Sequence, residues 1–189
     1  MKLKFLFIAL LLAALANAAL ADDTTAFQLI KRGNDYVGVQ SKDKVVQIRS
    51  EKSLGSLTPD IWYVVYYDPD ATFKSVEVKF GAGQKMDVSH PGRLLELFNN
   101  DRYPLAPAKL KIDSDKAIKI ATTQPLLAKL TLKATQLWLE HGDDGPQWRV
   151  KLWAAKLQNP SDNANIGTVI LSATDGSVLK ADLHPNSVE

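Results

Sequence analysis

The chain contains no cysteine. That excludes a disulfide framework and excludes a lipid anchor of the bacterial lipoprotein kind, which needs a cysteine thiol. The fold must therefore be held by apolar burial alone. Also missing are the G-x-S-x-G elbow, the phosphate-binding loop and the dinucleotide fingerprint, and no serine has a histidine placed to activate it. Histidine is scarce: His90, His141 and His184 lie far apart, each beside Pro or Gly. Without cysteines or an H-x-x-x-H pair they read as surface-loop residues rather than zinc ligands. A D-x-D-x-D-G loop with a distal glutamate is absent too, so Asp68-x-Asp70 and Asp143-Asp144 read as turn formers, not as calcium ligands or an acid–base pair. Gly81-x-Gly83 is long enough only for a turn. No cofactor or metal is expected, and an enzyme is disfavoured.

Charge of one sign is lacking as well. The net charge is +2, from 23 lysines and arginines against 21 acidic residues. Two of those lysines, Lys2 and Lys4, precede the one long apolar run, residues 5–20, which ends in Ala19-Leu20-Ala21. A basic start, an apolar middle and small residues at the end describe a secretory signal peptide over residues 1–21. The run is shorter than the ~20 residues that span a bilayer. Cleavage would leave equal numbers of basic and acidic residues, so a nucleic-acid partner is not expected, nor a membrane one. The destination is the periplasm or the exterior.

What the chain does have is period-two alternation. Trp148, Val150, Leu152 and Ala154 alternate with Gln147, Arg149, Lys151 and Trp153. Val169, Leu171 and Ala173 alternate with Thr168, Ile170 and Ser172. With a third run up to Leu183, this predicts a three-strand meander over residues 146–183. Asp175-Gly176 is expected at the centre of its second turn, both residues with positive φ.

Earlier, Asp22–Thr25 precedes Ala26, Phe27, Leu29 and Ile30, which share one helical face up to Gly33-Asn34. A strand is expected over residues 44–50. Ile61-Trp62-Tyr63-Val64-Val65-Tyr66-Tyr67 has the composition of a central strand, and strands over 75–80 and 85–88 complete another meander. Residues 93–100 predict a short helix in a connector spanning 90–111. Asp113 then caps a helix with Ala117, Ile120 and Ala121 inward. Residues 126–140 fit a helix or a strand; Thr131, Thr135 and Pro125 favour the strand, with a bulge at an inward Gln136.

Side by side, residues 22–89 and 112–189 show the same order of helix, strand and meander. Trp62 matches Trp148 at an offset of 86, and Val76, Val78 and Gly83 match Val169, Leu171 and Gly176 at an offset of 93. The difference falls in the loop after the Trp strand, in residues 158–166, where an insertion is cheap.

Ile112-Asp113-x-Asp115-x-Ala117-x-x-x-Ala121, followed by Trp148-x-Val150 and Asp175-Gly176-x-Val178-Leu179, resembles the PepSY and PepSY-like domains of bacterial secreted and membrane proteins. The resemblance covers residues 112–183 and, more weakly, 24–88. Ala173-Thr174 stands where that family often has an aspartate. The resemblance implies an α+β fold of two cystatin-like units, each one helix packed on a curved antiparallel sheet, and a role in inhibiting or regulating peptidases; it implies no active site.

A unit with one helix covers only one face of its sheet. If Trp62, Val64 and Tyr66 point inward with Trp148, Val150 and Leu152, then Tyr63, Val65, Tyr67 and Trp153 lie outward beside Arg149 and Lys151. Tyr, Trp and Arg together are the composition of an interaction surface. Tyr63, Tyr67, Arg149, Lys151 and Trp153 are thus the candidate partner-binding residues. The competing expectation packs them against the other half or the connector. Together these readings point to an exported, non-enzymatic binding or regulatory protein whose partner is a peptidase or another exported protein or peptide. A small-ligand carrier or enzyme with an apolar pocket in a cystatin-like cone is the alternative, and a calcium-responsive structural module a third.

Overall fold

A computed structural model describes residues 24–91 and 103–189. The expected signal peptide and the helix expected over 93–100 lie outside the described residues.

Thr25 opens helix α1 (Ala26–Gly33). Its hydroxyl accepts the Gln28 amide while the Gln28 side chain accepts the Thr25 amide, so two donors with no partner inside the helix are satisfied reciprocally. Lys31 and Arg32 occupy the last turn, where the exposed carbonyls favour cations. Strands β1 (Val45–Ser50), β2 (Ile61–Tyr67), β3 (Ser75–Gly81) and β4 (Gln84–Ser89) follow. The β3–β4 turn places Ala82 and Gly83 at φ 46° and 74°, a conformation that matches strand twist.

Helix α2 (Ser114–Thr122) is capped by Asp113, as its sequence requires. Then come β5 (Leu132–Gly142), β6 (Gly145–Ala155), β7 (Asn163–Ser172) and β8 (Val178–Leu183). The chain is α+β: the eight strands form one antiparallel sheet in the order β4-β3-β2-β1-β5-β6-β7-β8, with both helices on one face. That order runs from an edge to the middle and out again, so β1 meets β5 at the centre.

Between helices and sheet lies one continuous core. Ile48, Trp62, Val64, Tyr66, Val78 and Phe80 pack with Leu137, Leu139, Trp148, Val150, Leu152 and Val169 beneath Leu29, Ala117 and Ala121. Each large side chain buried there contributes about 1.5–3 kcal/mol relative to exposure. Close approach is written into Gly33, where a Cβ would lie 2.1 Å from the Tyr66 hydroxyl. That hydroxyl donates to the Ile30 carbonyl at 2.8 Å and ties α1 to β2.

The central seam is short in ladder pairs and rich in side-chain substitutes for them. Only Ile48 with Leu139 and Arg49 with Trp138 pair across β1 and β5. Beyond these, the Leu137 amide donates to Ser50 Oγ and the Thr135 amide to Ser53 Oγ, both at 2.9 Å. In the helical layer Asp113 Oδ1 accepts the amides of Ser114 and Phe27, and Ser114 Oγ accepts that of Ala26. Backbone donors that would be orphaned are thus met by side chains from the other half.

Six expectations are corrected. Residues 126–131 are not strand: Pro125–Leu127 is a 3₁₀ turn, and β5 starts at Leu132. Its irregularity falls between Leu132 and Ala134, not at Gln136, which turns outward and donates to the Ser50 carbonyl. In α2 the buried isoleucine is Ile118, with Ile120 half-buried above the sheet. Asp175 keeps a negative φ and only Gly176 (φ 79°) is left-handed, because the turn closes over five residues, with the Gly176 amide on the Ser172 carbonyl. Residues 163–166 are strand, so the extra length of the second meander extends the β6–β7 hairpin rather than its loop. The pairing also departs from the offset of 93: Trp62 faces Phe80, whereas Trp148 faces Leu171, not Ala173.

Candidate functional site

Alternation that buries one face of the sheet against the helices leaves the other face, among the described residues, free of helices. One row crosses all eight strands there: Asp87, Lys79, Tyr63, Arg49, Trp138, Arg149, Ile170 and Lys180, each the register partner of the next. Aromatic and cationic residues occupy its middle.

In the first half these side chains hold one another. The Arg49 guanidinium lies 4.3 Å from the Tyr63 ring centroid and 2.5 Å from the Glu77 carboxylate. Lys79 covers the same ring at 5.1 Å and sits 3.6 Å from Glu51, whose carboxylate accepts the Tyr63 hydroxyl at 2.5 Å. Its ammonium is held above the ordinary lysine range, chiefly by the hydrogen bond with Tyr63 and then by Glu51. Tyr63 is thereby clamped between two cations. The next row is closed: Val65, Gln47 and Glu77 are at most 7% exposed. Val65 therefore belongs to the interior and is withdrawn from the outward surface expected for it.

In the second half the face opens. Arg149 is exposed and contacts Glu140. Four residues along β6, about 13 Å away, Trp153 lies half-buried between Lys52 at 4.7 Å and Lys151 at 5.3 Å. Lys52 also donates to Asn163, which joins the loop after β1 to the start of β7.

The structure thus brings Tyr63 and Arg149 into one row, three strand spacings or about 14 Å apart, and sets Lys151 and Trp153 beside them along β6. Tyr67 is not with them; it ends β2 opposite Ser75, toward the far end of the face. Trp138 and Arg49, which link Tyr63 to Arg149, are absent from the sequence-derived set. Counting by twos from Leu132 through Ala134 and Gln136 sets Trp138 inward, and the irregularity at Lys133 reverses that phase.

The remaining titratable groups do not converge. His90 approaches Asp68 at 3.8 Å, His184 approaches Asp182 at 3.2 Å, and His141 contacts the Tyr103 carbonyl. Asp68 accepts the Asp70 amide, a turn-forming contact. Among the described residues no group of three His, Asp or Glu side chains could hold a metal ion, and no helix is long and apolar enough to cross a membrane. Asp175 is held down to about 2 by the amide and hydroxyl of Ser177 and by Ser172.

No protein-family model matches the chain, and neither a curated protein nor a solved structure does.

Proposed function

We propose that the chain is an exported, non-enzymatic binding protein built from two PepSY-like, cystatin-like units joined edge to edge, and that it recognises a protein or peptide partner through the helix-free face of its sheet. The observation that carries this reading is the row from Asp87 to Lys180, one residue per strand, with Tyr63, Arg49, Trp138 and Arg149 at its middle. Aromatic residues and arginine are the types most enriched where protein surfaces bind tightly. Clamped by charges, they lose little side-chain freedom on binding.

The residues behind the PepSY resemblance have structural work consistent with it. Asp113 caps α2, Ala117 and Ala121 are buried, the Trp148 indole donates to the Ile112 carbonyl at 2.7 Å, and a Cβ on Gly176 would lie 2.9 Å from Ile120. The interior beneath the helices is occupied by Trp62, Tyr66, Phe80 and Trp148, all at most 1% exposed. That filling favours a surface function over an apolar ligand pocket.

The test is crosslinking and affinity capture from the host's exported proteome with the wild type and with Trp138→Glu/Arg149→Glu. The expected result is a protein captured by the wild type and lost with the double variant, whose circular dichroism is unchanged. No recovered partner, together with substrate turnover by the purified protein, sinks the proposal.

A further inference from the structure

At the end of the helix-free face, beyond Trp153, Lys129, Thr131, Lys133, Lys156 and Leu157 line a hollow of about 170 Å³. Ala155, another of its walls, lies outward on β6 in the same phase as Trp153. Three lysines therefore line a space of side-chain size that continues the face. Among the described residues none of the three forms an ion pair or a side-chain hydrogen bond. Asp162 and Glu189 are close to Lys156 along hydrogen-bonded backbone, yet neither carboxylate pairs with it. Among the described residues Lys52 and Lys151 at Trp153 carry no ion pair either.

Cations gathered without counter-charges repel one another, a cost that an incoming anion removes. Elsewhere on the face three cations meet carboxylates: Arg49 meets Glu77, Lys79 meets Glu51 and Arg149 meets Glu140. We infer that the hollow receives carboxylates from an acidic segment of the protein partner, with Trp153 packing against the segment's apolar atoms. The inference rests on the binding role proposed above and supplies the chemistry of the partner. The size of the hollow suits one side chain, and continuity with the face favours a protein source over a lipid surface.

The probe is a fluorescein-labelled octaglutamate peptide titrated into the full chain, with inorganic phosphate and phosphatidylglycerol vesicles in parallel. Saturable peptide binding is expected, weakened at least about tenfold by Lys129→Glu/Lys133→Glu/Lys156→Glu, as three reversed surface charges should do. Weakening between ~50 and ~500 mM salt is expected too. A Lys→Gln triple variant, intermediate in affinity, guards against a folding defect. Absent peptide binding, or binding indifferent to the triple variant, overturns the inference. Lysine-dependent binding of phosphate or vesicles without the peptide overturns it as well. Partner capture lost with Trp138→Glu/Arg149→Glu but intact with the lysine variants would refute the inference and leave the face reading standing. Lysine-dependent peptide binding with capture indifferent to Trp138 would do the reverse.

Discussion

The two halves of the sheet share an order of elements and differ in how they are finished. In the first, β2 is seven residues long, its tryptophan indole donates to the nearby Pro59 carbonyl, and the cations of the outer row are matched to carboxylates. In the second, β6 has eleven residues, and Trp148 reaches the segment leading into α2 and stacks on Phe27 of α1 at 6.4 Å. Among the described residues its lysines at the sheet end stay without ion pairs. One half is closed on itself, and the other holds the helices together and keeps charge available. Binding capacity therefore concentrates where stability does not consume the side chains.

Trp148→Ala and Trp62→Ala break this comparison most strongly. Each deletes a fully buried indole and should cost about 3–5 kcal/mol in urea unfolding. Because Trp148 touches α1 and the segment leading into α2, its loss should raise amide exchange in both helices, whereas loss of Trp62 should raise it mainly in the first half. Equal exchange patterns would remove the asymmetry.

Ser50→Ala addresses the seam. It leaves the buried Leu137 amide without its acceptor, an expected loss of about 1–3 kcal/mol. An unchanged denaturation midpoint would mean that the seam does not depend on that hydroxyl.

Alkaline pH sharpens the contrast further. Burial, and then Asp43 and Asp35, raise the Tyr66 phenol above its ordinary 10.0. Its contribution to stability is complete below pH 10 and is lost as pH rises through the folded-state value, because the unfolded chain ionises first. Stability should decline above pH 10 with early exchange in the first half, and Tyr66→Phe should abolish that slope at the expense of about 1 kcal/mol at neutral pH. A slope that survives in Tyr66→Phe would assign it elsewhere.

The smallest effect is expected from charge. Lys79→Gln, which breaks the exposed pair with Glu51, should lower the melting temperature slightly and less at high salt, whereas Lys133→Gln, which breaks no pair, should leave it unchanged or slightly higher. The opposite ranking would show that the first half's ion pairs are ornamental to its stability.

Much of the fold was legible in the sequence wherever local signals agreed. Thr25 and Asp113 mark helix starts because their oxygens suit orphan amides, and the sequences of β3 and β6 alternate apolar with polar residues. Legibility failed where one residue altered the phase. Lys133 is unremarkable in composition, yet the irregularity beside it turns Trp138 outward and Leu137 inward, and no local propensity announces that switch. The site was half legible for the same reason: Tyr63, Arg149, Lys151 and Trp153 follow from alternation, whereas their neighbourhood depends on β1 meeting β5, a pairing between residues about ninety positions apart. Val65 is covered although its phase is outward, which no period predicts.

The shared caps carry a consequence for the order in which the protein is made. The amides of Ala26 and Phe27 wait for Ser114 and Asp113, separations of 88 and 86 residues. During synthesis, the first half therefore emerges with an unfinished helix start and with β1 still an open edge. The second half supplies both those acceptors and the strand that covers the edge, so these contacts form only after β5 has been made.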